Sequence, residues 1–399
     1  MRALLSFLVL LVASIVTAQA ATPATVAVAF DARSIHPVLA EGEADRATHQ
    51  PVTANDPVRI ASISKLVTAL GVMRLVDQRR LDLDRDVSDY LGFALRNPSF
   101  PDRKITLRLL LSHQSSLRDG DDLYIIPLGM TLRERLNDPA VWDRDHAPGS
   151  GWFHYTNLNF PVVATVMERV TGERFDVLMS RLVLKPLKLD ACFNWGAGCS
   201  ADAFSRAVVL YRDNGEVARD DLKGVPPSCP VVVQDGKACD LAAYRPGENG
   251  ALFSPQGGLR ISMSDLARIG QLLARRGAGF LSLRAFAELT RPEWRFNGGN
   301  GLGEDGTASG FFCTYGLALH RIGAGGSGCH DDLFADHRPR IGHSGDAYGV
   351  KSGLWVDPVT GQGLAFFTTS APPDAPTGRS AFTAREEVVV ERAQAAPFR

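Results

Sequence analysis

Ser62 and Lys65 place a hydroxyl and an amine three residues apart. Residues at positions i and i+3 of a helix share one face, so the lysine amine can accept the proton of the serine hydroxyl. This pairing activates a serine for nucleophilic attack on a carbonyl carbon. The four-residue pattern is short, and a serine that caps a helix beside a solvated lysine also accounts for it.

The residues after Lys65 favour the catalytic interpretation. Apolar side chains recur there at helical spacing and on more than one face: Leu66, Val67, Leu70, Met73, Leu75 and Val76. A helix that is apolar around most of its circumference is buried within a domain. Burial disfavours the charged form of an amine and lowers its pKa, so we expect Lys65 to act as a base.

A second pair of polar side chains, Tyr155 and Asn157, lies in the loop of residues 147–160. A tyrosine hydroxyl can pass a proton between groups, and an asparagine amide can bind a substrate carbonyl or amine. A packed loop tyrosine followed by a turn asparagine produces the same pattern. Further motifs are therefore needed to choose between these interpretations.

Residues 342–346, with the sequence Gly-His-Ser-Gly-Asp, form a third candidate segment. A glycine such as Gly345 within a strand lets the backbone approach a ligand closely. The segment also resembles the Gly-x-Ser-x-Gly nucleophile elbow of α/β-hydrolases, with Ser344 as nucleophile. Asp346 occupies the last glycine position, and strand-like residues follow where that motif requires a helix, so we disfavour the elbow.

Metal-ligating residue types cluster in one loop, at His330, Asp331, Asp332, Asp336 and His337. Their spacing lacks a pattern such as His-Glu-x-x-His, and a solvated loop is the preferred interpretation. We therefore predict neither a metal nor another cofactor.

The chain has 399 residues, 45% apolar and 22% charged, with a formal net charge of -1. This length and composition are sufficient for a large hydrophobic core. The near-zero charge, and the lack of a basic run with interleaved aromatic residues, give no support for nucleic-acid binding.

Residues 1–20 have the features of a signal peptide: Arg2, an apolar run over residues 4–16, and a small-x-small cleavage signal at residues 18–20. The run is short for a membrane span, so we predict export to the periplasm or exterior of a bacterial cell, with no span after cleavage. An uncleaved anchor is the alternative. An even cysteine count in an exported chain predicts disulfides, and we favour the local pairs: Cys192 with Cys199, Cys229 with Cys239, and Cys313 with Cys329.

Strand patterns occur near both ends of the chain, and helical patterns occur between them. The predicted strands cover residues 25–30, 37–40, 311–319, 353–356 and 363–369. Besides the helix that starts at Ser62, the predicted helices cover residues 105–111, 131–136, 161–170, 266–273 and 380–395. Residues 192–249 read as long loops joined by disulfides.

This order predicts an α/β (α+β) fold in one catalytic unit over residues 21–399. A sheet subdomain would combine residues 21–90 and 300–399, and residues 91–299 would form a helical and loop subdomain.

The three motifs resemble those of the class C β-lactamase-like serine hydrolases: Ser-x-x-Lys at Ser62, Tyr-x-Asn at Tyr155 and His-x-Gly at His343. Their order and separations are similar to the family pattern, as are residues 59–62, 105–113, 257–259 and 265–268. The family includes class C β-lactamases, DD-carboxypeptidases, D-aminopeptidases and esterases. The resemblance implies the serine β-lactamase/penicillin-binding-protein fold, an antiparallel sheet flanked by helices with a mostly helical subdomain.

The resemblance also implies roles for individual residues. Ser62 would be the acylated nucleophile, while Lys65 and Tyr155 would move protons. The backbone N–H groups of Ser62 and Asp346 would form the oxyanion hole. The residues implied to contact or flank the substrate are Asn157, His343, Ser344, Gly345 and Asp346.

His343 stands at the position of the lysine in the Lys-Thr-Gly motif of class C β-lactamases. By the resemblance, a histidine at this position favours the peptidase and esterase branches over potent β-lactamase activity. We therefore predict an exported serine acyl-hydrolase that cleaves an amide or ester, namely a D-amino-acid peptide, a small ester or a β-lactam. The alternative is a penicillin- or cell-wall-binding relative that is acylated at Ser62 with little turnover. The predicted partner is a small-molecule or peptide substrate.

Overall fold

The computed structural model describes residues 22–303 and 310–396. The predicted signal peptide, residues 1–20, lies outside the described residues. Among the helices in the described ranges, none is both long and apolar enough to cross a membrane.

An antiparallel sheet of eight strands is the framework of the described part of the chain. Its spatial order is β3-β4-β5-β6-β7-β8-β1-β2. The strands are β1 Thr25–Phe30, β2 Ile35–Glu41, β3 Trp294–Arg295, β4 Thr314–Tyr315, β5 His320–Ile322, β6 Arg340–Ala347, β7 Val350–Val356 and β8 Gly363–Thr368. Strand β1 pairs with β8, with Thr25 opposite Thr368, so both ends of the chain enter one sheet as predicted.

Strand β1 is apolar along its whole length because the sheet is covered on both faces. Val26 and Val28 belong to the main core with the helices Ile63–Asp77 (α1) and Met263–Ala274 (α8), whereas Ala27 and Ala29 pack in a second cluster with the helix Ala384–Ala395 (α10). Successive side chains of a strand point to opposite faces, so a strand with two covered faces is a continuous apolar run.

Each predicted helix is present with ends that differ by up to four residues, and the described part of the chain adds four α-helices that were not predicted, over residues 88–91, 175–179, 201–205 and 283–290. The α-helices are α1 Ile63–Asp77, α2 Ser88–Leu91, α3 Leu107–Leu111, α4 Leu132–Arg135, α5 Asn159–Thr171, α6 Phe175–Met179, α7 Ala201–Ser205, α8 Met263–Ala274, α9 Leu283–Thr290 and α10 Ala384–Ala395. Helix α8 begins at Met263, three residues before the predicted start, and the Ser262 hydroxyl caps it by accepting a hydrogen bond from the backbone N–H of Asp265. Helix α8 packs against β1, β7 and β8 although it comes from the segment assigned to the helical subdomain. The division into two subdomains stays a prediction.

The single strand predicted over residues 311–319 is wrong. The segment folds back on itself, and β4 pairs with β5 so that Tyr315 lies opposite His320. Ala318, in the turn between them, has a φ of 51°, a left-handed conformation that interrupts an extended strand. The aromatic and β-branched content of the segment predicted strand correctly, but it gave no sign of the turn.

Three disulfides join the six cysteines, all of which lie in the described part of the chain: Cys192–Cys199, Cys229–Cys239 and Cys313–Cys329. These are the predicted pairs. Two of them hold residues 192–249, where the regular structure consists of α7 and the short strands Cys192–Phe193, Leu210–Tyr211 and Val217–Arg219.

Candidate active site

A sharp turn between a short strand and α1 presents Ser62. The strand Val58–Arg59 pairs with Leu259–Ile261, and Ala61 then adopts a φ of 46° before the helix begins. A left-handed alanine is uncommon, and such conformations concentrate at functional sites. Ser62 occupies the helix N-cap position, but its side chain makes no capping hydrogen bond, so its Oγ is available for another role.

Lys65 is fully buried, and its Nζ lies 2.9 Å from Ser62 Oγ. The Nζ also donates to Asn157 Oδ1 at 2.7 Å and to the backbone oxygen of Gln256 at 3.1 Å. These acceptors compensate for the loss of water around the amine. The interpretation of Lys65 as a solvated surface lysine is therefore wrong, and the predicted burial is confirmed.

Asp119, which sequence reasoning missed, fixes the amide of Asn157. Asp119 Oδ2 accepts hydrogen bonds from Asn157 Nδ2 and from the Asn157 backbone N–H, both at 2.9 Å. Asp119 Oδ1 accepts from the backbone N–H of Leu158 at 2.8 Å. Because the carboxylate can only accept, it directs the Asn157 nitrogen toward itself and the Asn157 oxygen toward Lys65. It also places a negative charge at the N-terminus of α5, where the helix dipole favours one.

Tyr155 is held by aromatic stacking. Its ring is nearly parallel to the ring of His113 at 4.5 Å and to that of Phe312 at 4.7 Å. The Nζ of Lys65 lies 4.8 Å from the centre of the Tyr155 ring. Burial, followed by the charge of Lys65, lowers the pKa of His113 well below its usual range, so the stacked imidazole is neutral. The structure thus brings Tyr155 together with Lys65 and Asn157.

His343 lies inside the sheet, where both ring nitrogens have partners. Its Nδ1 is 2.6 Å from the backbone oxygen of Ser344, and its Nε2 is 2.8 Å from the Tyr315 hydroxyl. Burial and the charge of Lys65 lower the pKa of His343 well below its usual range, so the ring is neutral. A carbonyl can only accept, so Nδ1 carries the proton and Nε2 accepts from Tyr315. These two hydrogen bonds fix the orientation of the His343 ring on β6. Contact between the ring and a substrate stays a prediction.

Gly345 allows β6 to pack directly against the segment that leads to the nucleophile. A Cβ atom at this position would lie 2.2 Å from the backbone oxygen of Ile60, two residues before Ser62. The Ser352 hydroxyl donates to the same Ile60 oxygen at 3.0 Å. Ser344 is half-buried on this strand and Asp346 is exposed. The close packing brings the end of β6 to the nucleophile.

A cleft of about 570 Å³ opens above these residues. Among the predicted site residues, Ser62, Asn157 and Asp346 line the cleft, and the other five are not among its lining residues: Lys65, Tyr155, His343, Ser344 and Gly345. The assignment of the oxyanion hole to the N–H groups of Ser62 and Asp346 stays a prediction. The cleft also contains residues that sequence reasoning did not select, among them Arg59, Arg219 and Tyr348.

The two alternative sites are disfavoured by the structure. Ser344 lies in the middle of β6, which turns into β7 through a hairpin rather than into a helix, so it is not on a nucleophile elbow. In the described ranges no group of three or more His, Cys, Asp or Glu residues is placed to hold a metal. In the suspected loop, His337 pairs with Asp332, and Asp336 pairs with Arg340.

The antiparallel sheet with its flanking helices, together with Ser62 in hydrogen-bond contact with the buried Lys65, is the arrangement of a serine hydrolase of the β-lactamase type. The family model described as Beta-lactamase matches residues 12–388. The chain therefore belongs to the Beta-lactamase family.

Two curated relatives match parts of the chain. Esterase EstB of Burkholderia gladioli is 30% identical over 260 residues, which cover 61% of this chain and 63% of the esterase. Penicillin-binding protein 4 of Amycolatopsis lactamdurans is 30% identical over 152 residues, which cover 38% of this chain and 39% of that protein. The chain thus matches less than two thirds of the length of either relative.

Solved structures share the fold over nearly the whole chain. The D-amino acid amidase of Ochrobactrum anthropi SV3, complexed with D-phenylalanine, has a TM-score of 0.65 at 18% identity and covers 94% of both chains. A class C β-lactamase of Rhodobacter sphaeroides has a TM-score of 0.62 at 16% identity, covering 94% of this chain and 93% of the lactamase. At these identities the similarity establishes the fold alone.

Proposed function

We propose that this protein is an exported serine acyl-hydrolase that cleaves an ester or amide through an acyl-enzyme on Ser62. The observation that carries the proposal is the contact of the buried Lys65 Nζ with Ser62 Oγ at 2.9 Å. A hydroxyl is a weak nucleophile unless a base removes its proton, and a buried amine within hydrogen-bond distance is placed to do so.

In the first half of the reaction, Ser62 Oγ bonds to the substrate carbonyl carbon while its proton passes to the amine of Lys65, a step that requires the deprotonated form of the amine. The bond to the leaving oxygen or nitrogen then breaks, Tyr155 delivers a proton to that atom, and the Lys65 ammonium returns a proton to Tyr155. In the second half, water attacks the acyl-enzyme, releases a carboxylic acid and restores the Ser62 hydroxyl. The backbone N–H groups of Ser62 and Asp346 are assigned to the carbonyl oxygen, where negative charge develops.

Asn157 and Asp119 contribute by holding the lysine in place. The Asn157 oxygen accepts from Lys65, and Asp119 prevents the amide from rotating. With its amine also bonded to Gln256, Lys65 cannot swing away from Ser62 without breaking buried hydrogen bonds. Such fixed geometry lowers the cost of reaching the transition state.

An ester is the favoured substrate. EstB, which is 30% identical over the matched residues, is named an esterase. The cleft carries apolar side chains from two loops, Ile125, Ile126, Val231 and Val232, and two of these are exposed, Ile125 and Val232. Exposed apolar side chains in a cleft suit an apolar acyl or alcohol group. The signal-peptide pattern and the disulfides support export.

Acylation without efficient turnover is the second candidate, supported by the relative named penicillin-binding protein 4. Intact-protein mass spectrometry after incubation with a fluorophosphonate, and separately with a penicillin, distinguishes the two. Steady-state rates with a p-nitrophenyl ester, a chromogenic cephalosporin and a D-Ala-D-Ala peptide complete the test, with Ser62→Ala as control.

We expect one fluorophosphonate adduct on the wild-type protein, none on Ser62→Ala, and multiple turnovers of the p-nitrophenyl ester by the wild-type protein. A stable penicilloyl adduct with no turnover of the three substrates would instead identify a penicillin-binding protein. If neither reagent modifies Ser62, the serine-hydrolase mechanism is wrong.

A further inference from the structure

Arg59 is a buried arginine that faces the cleft and forms no ion pair with a carboxylate of the described residues. Its side chain is 9% exposed and lines the same cavity as Ser62, three residues further along the chain. Its Nε is buried and has no hydrogen-bond partner, and no carboxylate within the described ranges forms an ion pair with it. A buried charge is costly unless it is paired, so an arginine left in this state calls for an explanation.

Arg260 lies opposite Arg59 on the paired strand, and its guanidinium group, unlike that of Arg59, has an ion-pair partner. Arg260 Nη2 and Nε bind the two oxygens of Asp220, at 2.8 Å and 3.2 Å. Its Nη1 donates to Asn194 Oδ1 and to the backbone oxygen of Gly258. Asp220 thus forms its ion pair with Arg260, and it acts on Arg59 through its charge without an ion-pair contact. Burial and the charge of Arg260 lower the pKa of Arg59 to about 10, so the guanidinium remains charged at neutral pH.

A second arginine joins Arg59 around one tyrosine ring. The guanidinium carbons of Arg59 and Arg219 each lie 4.9 Å from the centre of the Tyr348 ring. Arg219 Nη2 also donates to the Tyr348 hydroxyl at 3.3 Å. Arg219 comes from the disulfide-bearing segment and Tyr348 from the hairpin after β6, so two separate segments bring these groups to Arg59. The ring orients both guanidinium groups at the cleft.

The acidic residues that line the cleft do not neutralise this pair. Asp221 binds Lys223 at 2.9 Å, and Asp346 binds Lys351. Asp122 also lines the cleft but forms no ion pair with either arginine. Outside these ion pairs, the described lining residues carry the two arginine charges against the single carboxylate of Asp122, so this part of the cleft keeps a net positive charge beside the apolar side chains described above. A cleft with this character attracts an anion.

We propose that Arg59 and Arg219 form a carboxylate-binding subsite, so that the preferred substrate is an ester or amide that carries a carboxylate group. The inference rests on the proposed function for its catalytic readout. Guanidinium groups suit carboxylates because they offer paired N–H donors in a plane. A bound carboxylate would supply the partner that Arg59 lacks.

Tyr348 is the competing anion. Burial raises the pKa of its hydroxyl, but Arg59 and Arg219 outweigh burial and lower the pKa below the usual tyrosine value. If the ionised hydroxyl served as the permanent counter-ion of the two arginines, no substrate carboxylate would be needed. Tyr348→Phe separates these cases because it removes the hydroxyl and keeps the ring.

Two matched pairs of esters test the subsite. Mono-p-nitrophenyl terephthalate carries its carboxylate on the acyl side, and p-acetoxybenzoate carries it on the leaving group. In the partner of each ester, a primary carboxamide replaces the carboxylate. Since a hydrogen bond to a charged group is worth roughly 1.5–3 kcal/mol, we expect kcat/KM for the carboxylate member of at least one pair to be about 10- to 100-fold higher.

Single substitutions test whether Arg59 and Arg219 cause the difference in kcat/KM between the carboxylate and carboxamide esters. Arg59→Gln and Arg219→Gln should each bring the ratio of the two members close to unity while hydrolysis of the carboxamide ester continues. Arg219 is exposed, so its replacement keeps the test valid even if Arg59→Gln fails to fold. Arg212→Gln is the matched control. Arg212 is an exposed arginine in the hairpin formed by the strands Leu210–Tyr211 and Val217–Arg219, and it does not line the cleft. Tyr348→Phe should preserve the preference.

Equal rates within both pairs, in an enzyme that hydrolyses the carboxamide esters, would overturn the subsite and leave the proposed function intact. A preference that appears only in Tyr348→Phe would show that the tyrosine anion occupies the arginines, which also overturns it. If no ester is hydrolysed, calorimetric titration of Ser62→Ala with benzoate and benzamide decides separately. Tighter binding of benzoate that is lost in Ser62→Ala/Arg219→Gln supports the subsite, and equal or absent binding overturns it.

Discussion

Replacing Asp119 by asparagine removes one charge and one acceptor from the support of the Ser62–Lys65 pair. The wild-type carboxylate accepts three hydrogen bonds, two from Asn157 and one from Leu158. An asparagine at this position has a single side-chain oxygen, and its NH₂ group would face at least one of the same donors. The replacement is nearly isosteric, so its effects report on hydrogen bonding rather than on packing.

The magnitude follows from the arrangement of these three bonds. If the new amide oxygen occupies the Oδ2 position, the two bonds from Asn157 survive and the Leu158 N–H loses its acceptor. If it occupies the Oδ1 position, both bonds from Asn157 are lost. An unsatisfied, partly buried N–H costs about 1–3 kcal/mol, which sets the expected loss in the free energy of unfolding. Because Asn157 is also less well fixed, we expect kcat/KM to fall by about 10- to 100-fold.

The assay combines three measurements on the same variant. Urea denaturation gives the free energy of unfolding, ester hydrolysis gives kcat and KM, and the rate of fluorophosphonate labelling reports the reactivity of Ser62 directly. A positioning role predicts a lower kcat and slower labelling at a temperature where the variant is fully folded. Asp121→Asn is the control. Asp121 is exposed and lies two residues after Asp119, so its replacement removes the same charge from the same loop.

Wild-type kcat and labelling rate in folded Asp119→Asn would refute the argument that Asp119 positions Lys65 through Asn157. A loss of stability alone, with unchanged kinetics, would reduce Asp119 to a structural cap of α5. An equal loss in Asp121→Asn would point to the general electrostatic field of the loop.

Three further perturbations test other parts of the site. Lys65→Met keeps the length of the buried side chain and removes the base, so kcat should fall by roughly 10³-fold or more while circular dichroism shows a folded protein; near wild-type kcat would exclude Lys65 as the base. Gly345→Ala forces a Cβ against the Ile60 oxygen and should cost about 1–3 kcal/mol in urea denaturation together with most of the activity, whereas Gly299→Ala, where no atom lies within 4 Å of the added Cβ, should be close to neutral. Burial lowers the pKa of His320 to about 3 and, with Arg118 adding to the effect, that of His154 to about 4; His113 and His343 are also held neutral. The unfolded chain therefore binds protons below about pH 6.5 that the folded chain does not, and the free energy of unfolding should decrease from about pH 7 to about pH 5. Burial raises the pKa of Glu168 to about 7 and that of Asp331 to about 6, which opposes the decrease, so a free energy that is flat or rises over this range would show that the histidines do not dominate.

Local patterns in the sequence were sufficient wherever the deciding contacts are local. Ser62 and Lys65 meet because they lie one helical turn apart, and the apolar pattern around them predicted the buried helix. The three disulfides each join cysteines close in sequence, and the structure has those pairs. The hairpin of β4 and β5 was missed because a left-handed alanine in a turn carries no propensity signal that distinguishes it from strand.

Contacts between distant segments could not be inferred in the same way. Asp119 holds Asn157 from 38 residues away, and a lone aspartate after a loop gives no sign of its partner. His343 was expected to flank the substrate, which stays a prediction; its buried contact with Tyr315 could not be inferred, because alternation along a strand does not reveal what either face meets. Tyr315 lies on β4 of the same sheet, and its hydroxyl donates to His343 Nε2.

The amino-acid sequence alone therefore determined the helix, the Ser62–Lys65 pair that it carries, and the family to which the chain belongs, because these depend on short spacings and on motif order. Only the tertiary structure decided how the lysine is restrained and which charges in the cleft remain unpaired. Asp220 binds Arg260 and not Arg59 through the packing of three segments that are far apart in the chain. The character of the cleft follows from that packing, which no local pattern encodes.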